Sequence, residues 1–219
     1  METIKLLDGS VHDLKTITEK ARDDDFYYSY LGKHAFSSSI LKMLLESPKK
    51  YYYYTRYGNE QESSALNLGR IIHAKALTPE IFDTDYEVVQ VQSKNTNKFK
   101  EAKANSNRYC ITLKEDSDAN RVVDALLKND TFISKLANSQ PEEPAIGEIM
   151  GYPFRAKADI LRYPELFDLK TTADLRAFPY SAKKYSYDLQ LFIYCTLFDI
   201  DPYNFEFLVI DKGSLDIGL

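Results

Sequence analysis

The fold is decided by residues 154–172, which read FRAKADILRYPELFDLKTT. This segment contains two stretches of strand-forming residues on either side of Tyr163-Pro164, a pair that is typical of a turn. If the two strands form a symmetric hairpin about that turn, the numbers of paired residues add up to 327, because 163 + 164 = 327. Asp159 and Asp168 then lie directly opposite each other, with their Cβ atoms roughly 4.5–5.5 Å apart.

A third polar residue, Lys170, follows Asp168 on the second strand. Because side chains alternate between the two faces of a strand, Asp168 and Lys170 share one face and Leu169 lies on the other. Two facing carboxylates repel each other, and a divalent cation between them would offset that repulsion. The pattern therefore indicates metal-assisted hydrolysis of a phosphodiester, with Lys170 positioning water or stabilising charge. The alternative is that an isolated Asp-x-Lys pattern is only a solvated pair of charges on the surface.

The residues around this segment are typical of a mixed α/β chain. Residues 143–172 read as three successive strands joined by short turns, which predicts an antiparallel meander. We expect an N-terminal arm over residues 1–35 and one domain over residues 36–219. Hydrophobic periodicity and capping residues predict helices at 37–46, 64–77, 117–138 and 187–199, and strands at 86–92, 109–113, 143–150, 153–162, 166–172 and 204–210.

Composition narrows the classes of function. The formal net charge is −5, which disfavours a protein that coats nucleic acid by its overall charge, so any contact with DNA must come from local basic patches. Cys110 and Cys195 are far apart and have no CxxC partner, so neither a zinc site nor a disulfide framework is predicted. The longest apolar run is far shorter than the ~20 residues of a membrane span, and the first residues do not resemble a signal peptide. We therefore expect a cytoplasmic protein.

Three more residues are candidates for the same site. Gln190 and Tyr194 are four positions apart in a predicted helix and therefore share one of its faces. His73 lies among apolar residues of an earlier predicted helix, where a histidine is either a satisfied core residue or a metal ligand. The order of these residues along the chain, His73 first, then Asp159, Asp168-x-Lys170 and Gln190-x-x-x-Tyr194, favours a single site.

In that order and spacing the sequence resembles a known family. It is similar to the RecE and RecB branch of the PD-(D/E)XK nucleases, and most of all to the RecE-like (exonuclease VIII) phage exonucleases. The resemblance extends over approximately residues 36–210 and is carried by the segments 37–48, 65–80, 158–160, 168–172 and 187–194.

This resemblance implies a fold and a set of roles. The fold would be a restriction-endonuclease-like α/β core, in which a mixed central β-sheet is flanked by helices. His73, Asp159 and Asp168, with the carbonyl group of Leu169, would bind Mg²⁺ or Mn²⁺. Lys170 would be catalytic, while Gln190 and Tyr194 would support the site or the DNA strand.

The resemblance also implies an activity and partners. We expect a metal-dependent DNA exonuclease that digests double-stranded DNA ends from 5′ to 3′ in phage recombination, within the cytoplasm of a bacterial host. A ring-like homo-oligomer and a single-strand annealing protein would be its partners. Two alternatives stay open: a structure-specific or single-strand endonuclease on the same core, and a nuclease-like DNA-binding protein that does not cleave. Lys157-Ala158 stands where the family often has Arg-Pro, and two cysteines exclude the iron–sulfur cluster of some relatives, which needs four.

Overall fold

The computed structural model describes residues 2–58 and 64–218 of the chain. It contains an alternation of helices and strands, as the sequence predicts for an α/β protein. The β-strands are β1 Thr3–Lys5, β2 Val11–Asp13, β3 Tyr86–Val89, β4 Tyr109–Thr112, β5 Gln140–Ile149, β6 Tyr152–Arg162, β7 Glu165–Thr172, β8 Phe205–Asp211 and β9 Ile217–Gly218. The α-helices are α1 Leu14–Lys20, α2 Leu31–His34, α3 Ser38–Glu46, α4 Pro48–Tyr57, α5 Ser64–Leu77, α6 Pro79–Asp85, α7 Asn97–Asn105, α8 Leu113–Leu127, α9 Asp130–Leu136, α10 Phe178–Lys184 and α11 Tyr187–Phe198.

The main sheet has five strands in the order β5-β6-β7-β8-β9. Strands β5, β6 and β7 form an antiparallel meander, which confirms that prediction. The paired residues of β6 and β7 include Ile160 with Phe167 and Leu161 with Leu166, so their numbers add up to 327 as expected. A shift of one residue would have turned the polar and apolar faces over, so this register fixes which side chains share the face of Asp159.

The chain divides into two compact units. The first unit comprises residues 2–58, 139–168 and 176–207, and it contains helices α1 to α4, α10 and α11. Helix α11 packs against β5 and β6, and its Ile193 is fully buried with Phe154 of β6 and Ile149 of β5. Burial of this apolar surface stabilises the unit by roughly 25 cal/mol for each Å² removed from water.

Residues 2–35 also contribute to the core of the first unit. Strands β1 and β2 form an antiparallel hairpin, and α1 begins directly after it, with the Asp13 side chain accepting a hydrogen bond from the Thr16 backbone amide. Ile4 and Ile17 are buried in one cluster with Ile146 of β5. This packing ties the N-terminal segment to the meander.

The second unit comprises residues 64–138, 169–175 and 208–218. Helix α5 packs along α8, and an ion pair of 2.7 Å joins Lys75 to Asp116 between them. Strands β3 and β4 pair in parallel. The side chain of Thr112 accepts a hydrogen bond from the Glu115 amide, and the Glu115 carboxylate accepts one from the Thr112 amide, so a capping box starts α8.

Several predicted elements have different bounds in the structure. The single helix expected over residues 117–138 is two helices, because Asn129 caps α9 by accepting a hydrogen bond from the Phe132 amide. Residues 48–57, for which no helix was predicted, form α4, where Ser47 caps the helix and Pro48 occupies its first turn. Helix α7 falls between two predicted strands where no helix was expected. Among the described residues, no helix has the length and apolar character that a membrane crossing requires.

Candidate active site

Two buried aspartates lie on the adjacent strands β6 and β7. Asp159 and Asp168 have exposed fractions of 8% and 1%. The observed pairing ends with Ile160 opposite Phe167, and the next pair in that register is Asp159 with Asp168. Carboxylates are almost never buried unless they are paired or bind a cation, so this position requires a compensating group.

Glu142 of β5 supplies a third carboxylate next to Asp159. Pro141 pairs with Ile160 and Glu143 with Ala158, which leaves Glu142 opposite Asp159. Its φ angle of +51° lies in the left-handed region, which is uncommon for a residue other than glycine. A carboxylate oxygen of Glu142 lies within 4.8 Å of one of Asp159. We call Glu142, Asp159 and Asp168 the carboxylate row.

Glu142 is not among the predicted site residues, because the sequence pattern predicts a strand that starts at Glu143. The same arithmetic would have found it. A hairpin centred on Met150-Gly151 has paired numbers that add up to 301, and 142 + 159 = 301. The observed β5 to β6 register has this sum throughout.

Helix α11 supplies a hydrogen-bond donor to the row. The Nε2 group of Gln190 donates to Oδ1 of Asp168 over 2.5 Å, and both side chains are buried. A buried bond of this kind fixes the orientation of the carboxylate. The structure therefore brings Gln190 and Asp168 together.

Tyr194 lies one helical turn after Gln190. Burial of its hydroxyl group raises the pKa of Tyr194 well above the ordinary value, and the nearby charges of Asp168 and Asp159 raise it further. Like an ordinary tyrosine, Tyr194 keeps its proton at neutral pH, and its phenol is available as a hydrogen-bond donor.

The remaining predicted residues lie on β7 and α5. Leu169 is fully buried, whereas Lys170 is half-buried and shares the Asp168 face of the strand by its spacing of two. His73 is half-buried in the middle of α5 in the second unit, directly after the fully buried Ile71 and Ile72. The metal-binding role of His73 and the catalytic role of Lys170 stay predictions.

Two buried cations precede Asp159 on the same face of β6. Arg155 and Lys157 are 6% and 8% exposed, and their spacing of two places both on the Asp159 side of the strand. The Tyr27 ring covers them, with its centroid 4.3 Å from the Arg155 guanidinium carbon and 5.2 Å from Lys157 Nζ. Lys157 also forms an ion pair with Asp24. Positive charge thus lies beside the carboxylate row.

The donor set fits a hard divalent cation. The row offers only carboxylate oxygens, which are the ligands that Mg²⁺ and Mn²⁺ prefer, and it contains no thiolate. Asp159 and Asp168 are buried and Glu142 is half-buried, and a bound cation would reduce the repulsion among their carboxylates. The row therefore has the chemistry of a metal centre.

Comparison with known proteins gives two similarities. The model of the family described as "PDDEXK-like domain of unknown function (DUF3799)" matches residues 37–212. The fold is also similar to the crystal structure of a protein from Eubacterium rectale described as a candidate exonuclease, with a TM-score of 0.65 and 15% sequence identity. That similarity covers 90% of this chain and 75% of the other. No curated protein sequence matches the chain. The similarity of structure shows that the two chains share a fold, with a sheet flanked by helices.

Proposed function

Because the chain belongs to the PDDEXK-like family DUF3799, we propose that it is a metal-dependent nuclease that hydrolyses DNA phosphodiester bonds. This membership confirms the predicted PD-(D/E)XK superfamily and its α/β core. The observation that carries the proposal is the carboxylate row itself: Asp159 and Asp168 are buried on adjacent strands, and a carboxylate oxygen of Glu142 lies within 4.8 Å of one of Asp159. Burying such charges is costly, and a cation-binding role accounts for their presence.

The proposed ion is Mg²⁺ or Mn²⁺. Asp159 and Asp168 would hold it, with Glu142 as a third carboxylate and with His73 and the Leu169 carbonyl group as further ligands. When bound, such an ion polarises the scissile phosphate and lowers the pKa of the attacking water.

The protein's own groups have separate roles. Lys170 would donate a hydrogen bond to the attacking water or to the charge that develops on the phosphate, because it shares the Asp168 face of β7. Gln190 holds the Asp168 carboxylate in one orientation through its hydrogen bond. Tyr194, which stays protonated, would donate to a substrate oxygen or to a carboxylate of the row.

The proposed substrate is the end of double-stranded DNA, digested from 5′ to 3′ in phage recombination, within the cytoplasm of a bacterial host. This part of the proposal rests on the resemblance of the site motifs to those of RecE-like exonucleases. The same resemblance supports a ring-like homo-oligomer, which would surround a duplex end, and a single-strand annealing protein that receives the unpaired product strand.

A plasmid assay tests the proposal. The protein is incubated with linear, nicked and closed circular DNA in Mg²⁺, in Mn²⁺ and in chelator, with Asp168→Asn as the inactive control. We expect digestion of linear DNA only, and only with metal, because a closed circle has no end. Cutting of closed circles would show an endonuclease instead. Binding of DNA without cleavage in any metal would show a nuclease-like binding protein.

A further inference from the structure

Helix α4 exposes an unusual face to solvent. None of its residues is buried, and it follows α3 in the first unit. Tyr51, Tyr54 and Thr55 are half-buried and turn towards the protein. The opposite face carries Tyr52, Tyr53 and Tyr57, which are 49%, 51% and 70% exposed.

The outward residues follow helical spacing. Positions 49, 52, 53, 56 and 57 are separated by three or four residues and therefore form one stripe along the helix. A stripe of this kind usually carries polar side chains when it faces water. Here it carries three tyrosines, Tyr52, Tyr53 and Tyr57, together with Lys49 and Arg56, and we call these five residues the α4 stripe.

The tyrosine rings of the α4 stripe are arranged in contact. The rings of Tyr53 and Tyr57 are stacked, with centroids 5.9 Å apart and an angle of 29° between their planes. The guanidinium carbon of Arg56 lies 5.1 Å from the centroid of the Tyr52 ring. Single exposed aromatic residues are common on protein surfaces, but a contiguous group of them marks a binding surface.

The charge of α4 is positive throughout. The helix contains Lys49, Lys50 and Arg56 and no acidic residue. The preceding Glu46 pairs with Lys50 over 3.3 Å, which leaves Lys49 and Arg56 of the stripe to attract an anion. This local charge contrasts with the overall charge of −5, so the helix is one of the basic patches that a DNA-binding protein of this composition requires.

From these observations we propose that the α4 stripe binds single-stranded DNA, an assignment that rests on the proposed nuclease function. Aromatic rings stack on unpaired bases and cations bind the phosphates between them, which is how sequence-independent single-strand sites are built. In a duplex the bases are paired and stacked on one another, so the tyrosine rings cannot stack on them. The strand left unpaired when its complement is digested is the ligand that fits this surface.

Packing connects the α4 stripe to the candidate active site. Helix α4 packs on α3, and α3 packs on α11. Lys42 of α3 lies with its Nζ atom 5.2 Å from the centroid of the Tyr187 ring at the start of α11. Helix α11 carries Gln190, whose side chain bonds Asp168. A strand held on α4 would therefore be bound by the same group of packed helices that supports Asp168 through Gln190.

The test compares the affinities of substituted proteins for a fluorescein-labelled oligothymidylate by anisotropy, in chelator so that no cleavage occurs. One variant, the alanine protein, carries both Tyr53→Ala and Tyr57→Ala. Its Kd should be about tenfold higher than the parent's or more, since each stacked base contributes substantially to single-strand affinity. Replacing both by Phe should preserve the affinity because the rings remain. Tyr203→Ala is the matched control, since Tyr203 is 96% exposed and lies outside the stripe; its Kd should equal the parent's.

Two further measurements make the test specific. The Kd for a blunt duplex of equal length should be the same for the alanine protein and the parent. Arg56→Gln should reduce the slope of log affinity against log salt by about 0.7, the value for one phosphate contact on a single strand. Circular dichroism melts test whether each substituted protein is folded. We expect that all are folded, because the replaced side chains are exposed.

The outcomes separate this inference from the nuclease proposal. If the parent cleaves DNA but binds oligothymidylate no better than the alanine protein does, the α4 assignment is overturned. Equal losses with Tyr203→Ala, or with the phenylalanine pair, would overturn it as well. If the parent cleaves nothing in any metal and the alanine protein still loses affinity, the nuclease proposal fails and the α4 assignment stands.

Discussion

At the scale of single residues, the candidate site depends on which side chains occupy one face of the β5–β7 meander. Asp159 and Asp168 are buried on adjacent strands, and Gln190 of α11 donates a hydrogen bond to Asp168. Lys170 is the next residue on that face of β7. We propose that Lys170 acts on the reaction without holding the ion.

Replacing Lys170 should therefore separate binding from chemistry. Lys170→Ala should keep its affinity for metal and DNA while its cleavage rate falls by about a hundredfold or more, which is what loss of one preorganised stabilising group typically costs. Single-turnover cleavage of a labelled duplex, together with anisotropy in Ca²⁺, measures both quantities. Lys170→Arg controls for the charge. Near-normal turnover of Lys170→Ala would contradict its catalytic role.

His73 has two alternative roles, metal ligand or core histidine, and they predict opposite results when His73 is replaced. As a metal ligand, its replacement in His73→Ala should raise the Mn²⁺ concentration needed for half-maximal activity and change the melting temperature little. As a core histidine, the same replacement should lower the melting temperature and leave the metal titration unchanged. His34, also half-buried and outside the proposed site, provides the control substitution His34→Ala. A pure loss of stability would remove His73 from the set of ligands.

At the scale of elements, the π-helical turn Phe26–Tyr30 covers the cations of β6. Burial raises the pKa of Tyr27 to about 12, although the neighbouring Arg155 works in the opposite direction. A tyrosine whose pKa is raised on folding releases its proton more readily when unfolded. The stability that protonated Tyr27 contributes to the folded state is therefore fully present below the pKa of about 10 that it has in the unfolded chain. That stability is lost as the pH rises towards the folded-state pKa of about 12.

The expected result is a difference in alkaline stability. Between about pH 10 and pH 12 the free energy of unfolding of the parent should fall more steeply than that of Tyr27→Phe, which has no proton to lose. Urea denaturation at a series of pH values measures both slopes, and Tyr203→Phe is the exposed control. Parallel curves for the parent and Tyr27→Phe would show that Tyr27 does not titrate in this range.

At the scale of the whole molecule, the sequence predicted those parts that depend on local pattern. Period-two alternation and the Tyr163-Pro164 turn were enough to predict the register of β6 and β7. Helix α3 was predicted because Ser37 caps it and apolar residues follow at helical spacing. The PD-(D/E)XK superfamily was predicted from the order of a few polar residues and their flanking segments, and the match of a PDDEXK-like family over residues 37–212 confirms that superfamily.

The parts that the sequence did not predict depend on geometry or on weak local signals. Glu142 adopts a left-handed backbone conformation inside a strand, which no propensity indicates for glutamate. Helix α4 consists largely of tyrosines, which are poor helix formers, and its position on α3 stabilises it. The contact between the Tyr27 ring and the Arg155 guanidinium group joins residues that are more than a hundred positions apart. No local stretch of sequence can therefore predict it.

The central claim is that the carboxylate row binds a divalent cation, and four melting curves test it most directly. They compare the parent with Asp159→Asn, each in chelator and in millimolar Mg²⁺ or Mn²⁺. In chelator Asp159→Asn should melt at the same temperature as the parent or higher, because removing one charge relieves repulsion within the row. Metal should raise the melting temperature of the parent clearly and that of Asp159→Asn little, since a ligand that binds only the folded state stabilises it by mass action. A loss of stability in Asp159→Asn that is the same with and without metal would contradict the account, because Asp159 would then be a structural residue.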